Sequence, residues 1–196
     1  MDITTLLAQR LRTLRDARGL SLEALAERSG VSRSNISLIE RGESSPTAAV
    51  LDKLASGLGV TLSSLFEREA ADDEAASPVA RVAQQPVWTD PASGYVRRSV
   101  SPGVPSPLQL VDVVFPAGQR VAYDNAPRGM EIHQQIWMIE GAMEITVGGT
   151  AWRLEAGDCL AHTLGSPIVY RNPARQAARY LVALATSGPF FNKRPA

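Results

Sequence analysis

The sequence predicts two unlike units in one chain, an all-helical N-terminal part followed by an all-β C-terminal part. Three observations predict this. Residues 1–66 carry apolar residues at helical spacing and a single proline, Pro46. Residues 67–86 are alanine-rich and acidic, with five acids (Glu67, Glu69, Asp72, Asp73, Glu74) against two bases (Arg68, Arg81). They hold few large apolar residues, as a linker does. From Val87 onward, apolar runs of strand length are broken by Gly and Pro. The expected division is therefore 1–66, a linker at 67–86, and 87–196.

Five short helices account for the first unit. The first spans about Thr4 to Arg18, with Ile3, Leu7, Leu11 and Leu14 on one face and Gly19 ending it. Ser21 suits the N-cap of the second, which turns Leu22, Leu25 and Ala26 inward. Gly30-Val31 makes a turn. Ser32 caps the third, which runs to Arg41 with Ile36 and Ile39 inward. The loop ESSPT leads to the fourth, with Val50, Leu51, Leu54 and Leu58 inward. The fifth, TLSSLF, is short and packs Leu62, Leu65 and Phe66. In the second unit the expected strands include LQLVDVVF (108–115), EIHQQIWMI (131–139), MEITV (143–147) and YLVALA (180–185). Gly148-Gly149 reads as a two-residue hairpin turn. Even strand spacing of this kind predicts a closed barrel or a sandwich.

Composition narrows the function. The 196 residues balance 20 basic against 20 acidic side chains and are 44% hydrophobic. Such a chain folds, and it does not bind polyanions by bulk charge. Residues 1–66 hold eight bases and seven acids, so any nucleic-acid affinity there must come from placement. Cys159 is the only cysteine, which leaves no intrachain disulfide or cysteine-based zinc site. On a strand it is expected to be buried. No segment has the apolar length of a membrane span, and the start lacks a secretory pattern. A cytoplasmic protein with no membrane partner is expected.

The second and third helices form a capped helix, a Gly-containing turn and a second capped helix, the pattern of helix-turn-helix. With Val31, Ile36 and Ile39 inward, Ser32, Arg33, Ser34, Asn35, Ser37, Leu38 and Arg41 are left facing outward as DNA-contacting candidates. Arg33 can donate twice to guanine O6 and N7, and the Ser32 and Arg33 amides suit a phosphate. The segment GLSLEALAERSGVSRSNISLIERGESSPTAAVLDKLASGLGV resembles the lambdoid-phage-repressor and xenobiotic-response-element family of helix-turn-helix regulators. That resemblance covers about residues 4–66 and implies a five-helix repressor-like domain. It implies that Arg33 and Ser34 read bases, with Leu38 one turn later in place of the usual polar residue. It also implies a structural pair between Arg15 and Glu40, and leaves Leu22 where the family often has Gln.

Residues 131–185 resemble the second half of a cupin barrel, a double-stranded β-helix. The match rests on Gly141, Gly157-Asp158, Gly165, Pro167 and Asn172. Residues upstream, WTDPASGYVRRSVSP and SPLQLVDVVFPAGQ, look like the opening strands of the cupin sensor domain fused to this same helix-turn-helix family. Cupins often hold a metal, yet the four ligand positions carry Arg128, Met130, Gln134 and Ile168. Such a set offers a divalent ion almost nothing, so no metal and no other cofactor is expected. His133 is expected on the surface and His162 packed. Strand alternation turns Gln134, Ile136 and Met138 inward, with Ile168 and Tyr170. Tyr123, Arg128, Met130 and Trp152 complete the candidate pocket.

The expected protein is not an enzyme, since no nucleophile–base–acid set, P-loop or dinucleotide motif is present. It is a dimeric transcriptional regulator whose partners are operator DNA and a small-molecule effector sensed without metal. Effector binding would change how the two readers are placed across the 67–86 linker. The alternatives are a constitutive repressor whose barrel only dimerises, and a DNA-targeted cupin isomerase or dioxygenase.

Overall fold

The computed structural model describes residues 2–67, 77–125 and 131–186. Part of the expected linker (68–76) and the pocket candidates Arg128 and Met130 lie outside the described residues.

Four α-helices form the N-terminal unit: α1 (Ile3–Asp16), α2 (Leu22–Ser29), α3 (Arg33–Glu40) and α4 (Ala48–Leu58). Each starts on a residue whose side chain accepts a backbone N–H left free by the first turn. Asp2 takes those of Thr4 and Thr5, Ser21 that of Ala24, Ser32 that of Asn35 and Thr47 that of Val50. Gly30 ends α2 with φ +66°, a left-handed conformation that lets the chain turn at once into α3. The expected fifth helix is a 3-10 turn, Ser63–Phe66. Four residues close too few hydrogen bonds for an α-helix, and the Thr61 side chain takes the Ser64 N–H at 3.0 Å.

Among the described residues ten strands follow: β1 (Val87–Thr89), β2 (Val96–Ser99), β3 (Leu108–Phe115), β4 (Arg120–Tyr123), β5 (Ile132–Glu140), β6 (Ala142–Val147), β7 (Thr150–Glu155), β8 (Cys159–Thr163), β9 (Ile168–Arg171) and β10 (Ala178–Thr186). They pair into a six-stranded sheet, β1-β2-β3-β10-β5-β8, and a four-stranded sheet, β4-β9-β6-β7. Val147 pairs with Thr150 across Gly148-Gly149, the expected hairpin, and Gly148 takes φ +60°. The second unit was expected as a closed barrel or a sandwich, and it consists of two antiparallel sheets. Among the described strands no ladder joins the two sheets. Large inward side chains, Phe115, Tyr170 and Tyr180 among them, pack between the two sheets.

Alternation along β5 is strict: Ile132, Gln134, Ile136 and Met138 are buried while His133, Gln135 and Trp137 are exposed. On β10, Ala178, Tyr180, Val182 and Leu184 face inward. Asn172 is fully buried at the turn after β9. Its amide nitrogen donates to the carbonyls of Phe115 (3.2 Å) and Gln176 (2.8 Å), and its oxygen accepts from the Ala174 N–H.

The helical unit and the sheets share one apolar core, which runs continuously from Leu7 to Leu184. Phe66 of the 3-10 turn packs on Trp88 of β1 at 5.7 Å between ring centroids, and Trp88 meets Tyr95 edge-on at 5.7 Å. Asp90, buried in the β1–β2 turn, accepts the Ala48 N–H at 2.9 Å and so caps the start of α4 from the other unit. Its second oxygen takes the Ser93 N–H and hydroxyl. Asp52 of α4 accepts the Asn125 N–H beyond β4 (3.2 Å), and Thr61 donates to Gln109 of β3 (2.8 Å). A buried carboxylate bonded on both oxygens is a costly group to leave unpaired, so these contacts tie the units together.

Candidate functional site

Two regions concentrate the chemistry. The first is the outward face of α3. Ser32, Arg33, Ser34, Leu38 and Arg41 are exposed, Asn35 and Ser37 half-buried, while Val31, Ile36 and Ile39 are buried. All seven sequence-derived candidates therefore lie on or at the ends of one short helix, away from the core. Arg15 holds that helix in place. Its Nε and Nη2 pair with the two Glu40 oxygens at 2.7 and 2.8 Å, and its Nη1 donates to the Leu20 carbonyl at 2.9 Å. Donating these hydrogen bonds to Glu40 raises the Arg15 pKa further.

Acidic neighbours moderate the exposed cations on this face. Arg33 lies 3.8 Å from Glu23 of α2. Arg41 is gripped by both Glu43 oxygens at 2.8 Å and reaches the Ser37 hydroxyl. Exposed pairs of this kind exchange readily for a phosphate partner. The Glu43 contact was not anticipated from the sequence, because the bend at Gly42 is what returns residue 43 to the helix end.

The second region is a cavity of about 80 Å³ between the sheets, room for roughly five to eight water molecules. Tyr123, Gln134, Ile168 and Tyr170 of the expected set line it. Gln134 donates to the Tyr170 hydroxyl at 2.6 Å. Ile136 and Met138 are fully buried but are not among the lining residues, since they sit further along β5, where side chains fill the interior. Trp152 is 38% exposed and also lies off the cavity. It stands on β7, the edge strand of its sheet, where no further strand covers it. Cys159, expected to be buried, is exposed. It starts the edge strand β8 opposite exposed Trp137 and so shares the outer face.

Sequence reasoning missed much of the lining. Asp52, Thr61, Leu62 and Ser63 come from the helical unit, and Tyr95, Arg97, Asn125 and Tyr180 from the β-unit. Alternation on β10 would have found Tyr180. Adjacent Arg97 and Arg98 on β2 were a further signal, because neighbouring strand residues face opposite sides. Arg97 is the inward one, 5% exposed. Its Nη2 donates to the Ser63 hydroxyl at 2.9 Å and its guanidinium lies 4.5 Å over the Phe66 ring. Its buried Nε has no hydrogen-bond partner.

The four tyrosines in the lining, Tyr95, Tyr123, Tyr170 and Tyr180, all have their phenol pKa pushed up, by burial first of all. They remain neutral hydrogen-bonding groups at physiological pH. The Tyr95 and Tyr123 hydroxyls bond each other at 2.9 Å. Of the positions where the cupin resemblance expects metal ligands, two are described: Gln134 is engaged with Tyr170 and Ile168 is aliphatic, neither a usual metal donor. His133 is exposed. His162 is half-buried, and burial lowers its pKa. Among the described residues, no three His, Cys, Asp or Glu side chains cluster as a metal site would require, and no helix is long and apolar enough to cross a membrane.

Comparison with known proteins places this geometry. The helix-turn-helix family matches residues 11–65. The chain is 28% identical over 179 residues to the HTH-type transcriptional regulator SutR of Escherichia coli (strain K12), covering 91% of this chain and 94% of the relative. It is 38% identical over 74 residues to control protein C.SmaI of Serratia marcescens, covering 38% of this chain and 88% of that protein. The crystal structure of an HTH_3 family transcriptional regulator from Vibrio cholerae superposes with a TM-score of 0.74 at 26% identity, covering 95% of this chain and 98% of that one. With its capped α2–turn–α3 unit and its β-rich C-terminal half, this chain belongs to the HTH_3 family of helix-turn-helix transcriptional regulators.

Proposed function

We propose that this protein is a sequence-specific, effector-responsive transcriptional regulator, in which α3 reads operator DNA and the cavity binds a small molecule without a metal. One observation carries the reading: the cavity wall is made jointly by the helical unit and the sheets. A ligand seated there touches both, so its affinity depends on how the DNA-reading unit is docked. Such a difference in affinity between states is what lets a ligand shift them. The packed junction at Asp90, Asp52 and Phe66 supports control through that docking, in addition to the linker. The protein acts by binding, not catalysis: the described lining residues hold one carboxylate, Asp52, and no histidine.

The test is thermal unfolding of the full chain against a metabolite panel, with and without chelator. Binding to the folded state raises its stability by mass action, by about 2.7 kcal/mol at a hundredfold excess over Kd. A shift from one compound class, unchanged by chelator, is the expected result. No shift from any class would leave the constitutive repressor as the reading, and destabilisation by chelator alone would overturn the metal-free site.

The outer face of the six-stranded sheet supports a homodimer. Trp137 is 49% exposed there, and the register sets it beside Leu181 and Cys159. Leu108 and Val114 on β3 are exposed as well. A dimer places two α3 helices for operator half-sites about 34 Å apart. Trp137→Glu is expected to weaken self-association by roughly 2 kcal/mol or more, as for a central interface aromatic. Sedimentation equilibrium checks it, and an unchanged dimer would move the interface elsewhere.

A further inference from the structure

We propose that the cavity takes a small monocarboxylate with an apolar body, and that the guanidinium of Arg97 binds its carboxylate. The inference rests on the effector-binding reading above and names the chemical class.

Arg97 is a buried cation whose described partners are neutral: the Ser63 hydroxyl, the Phe66 ring face and the neighbouring Tyr95 phenol. Three other arginines of this chain show what such a group prefers. Arg15, Arg41 and Arg179 each grip a carboxylate with Nε and Nη2, those of Glu40, Glu43 and Asp112. On Arg97 the same edge is half used. Nη2 donates to a hydroxyl, and Nε is buried with an unused proton. An unpaired buried charge is costly, and a two-oxygen anion is the group that fits this edge. The remaining wall suits an apolar body, since Val111, Val113, Phe115, Ile168, Val182 and Leu184 line it. Asp52 is the acid in the described lining, and one of its oxygens accepts the Asn125 N–H.

The site also has a route to the DNA-reading unit. A carboxylate held on Nε and Nη2 takes the position of the Ser63 hydroxyl, which belongs to the 3-10 turn following α4. Ligand binding therefore replaces a hydrogen bond that now joins the helical unit to β2.

The test uses the full chain with sodium hexanoate and sodium benzoate, their amides, and hexylammonium, read by calorimetric titration and thermal unfolding. Both carboxylates are expected to bind roughly 10- to 100-fold more tightly than their amides, the worth of a charged hydrogen-bonded contact. Arg97→Gln is expected to erase that preference, and Arg97→Lys to keep part of it. Ser63→Ala, which leaves the cation in place, is expected to bind carboxylates at least as tightly as the natural protein. If Arg97→Gln does not fold, the carboxylate-to-amide ratio of the natural protein and the Ser63→Ala result still decide the matter. Equal binding of amides and carboxylates, or undiminished carboxylate preference in Arg97→Gln, would overturn the assignment. If these carboxylates are silent while another class in the metabolite panel stabilises the protein, the carboxylate assignment falls and the sensor stands. If every class is silent, both fall.

Discussion

Glu40→Ala is expected to destabilise the protein by about 3 kcal/mol, and so to lower its Tm by roughly 6–12 °C. The Glu40 and Arg15 side chains are 8% and 12% exposed. Removing the acid leaves the guanidinium in the interior with Asp16 and the Leu20 carbonyl as its remaining described partners. Breaking a buried pair costs about 3–5 kcal/mol, because the surviving charge loses its compensation; these two residual contacts set the expectation at the low end. Replacing both partners together, Arg15→Met with Glu40→Leu, is expected to cost far less, since no lone charge remains. The pair joins α1 to α3, so Glu40→Ala should also loosen DNA binding below the melting transition. Denaturant unfolding of the single and double variants checks this. A single-variant loss below about 1 kcal/mol, the range of exposed pairs, would show that the two side chains act as surface groups.

Arg33→Ala is expected to weaken binding to the preferred operator by about 1–3 kcal/mol, roughly 5- to 150-fold, and to relax preference at one base pair. The arginine is exposed at the start of α3, and its described ionic partner, Glu23, is 3.8 Å away and exposed as well, so it can be given up to a guanine. Arg41→Ala should behave differently. It is expected to weaken all sequences alike and to reduce the slope of log K against log salt by about 0.9, one phosphate contact. The measurement is anisotropy titration on a site selected from random DNA by the natural protein, repeated on single-base variants and at several salt concentrations. If Arg33→Ala lowers affinity uniformly while Arg41→Ala changes base preference, the two roles are reversed.

The helical half was legible because each of its signals is local. An N-cap acts over three residues, a helical stripe over seven, and Gly30 turns the chain where a left-handed conformation is needed. Hence α1 to α4, the outward set on α3 and the Arg15–Glu40 pair were all readable, the last through family resemblance. The inner face of β5 was readable for the same reason, since alternation is a property of the strand itself. The 3-10 turn was not, because four apolar-spaced residues do not say which hydrogen bonds they close.

What the sequence alone determined is which face of each element is apolar, where the elements start and stop, and which side chains point out of the third helix. What only the tertiary structure decided is what those faces meet. Asp52 finds Asn125 across 73 positions and Asp90 finds Ala48 across 42. Nothing in the spacing of either carboxylate announces a partner so far away. Trp152 is exposed although it pairs with buried Ile145, because β7 is an edge strand, and Cys159 is exposed because its register sets it opposite Trp137 on the outer face; edge position and register belong to the sheet, not to the strand. Arg97 lies inward because β2 pairs with β3 in one register, and it meets Ser63 because the 3-10 turn docks against that strand. Periodicity reports burial along a chain; the identity of a contact depends on how separate elements pack in space, and that is where the cavity and its buried arginine arise.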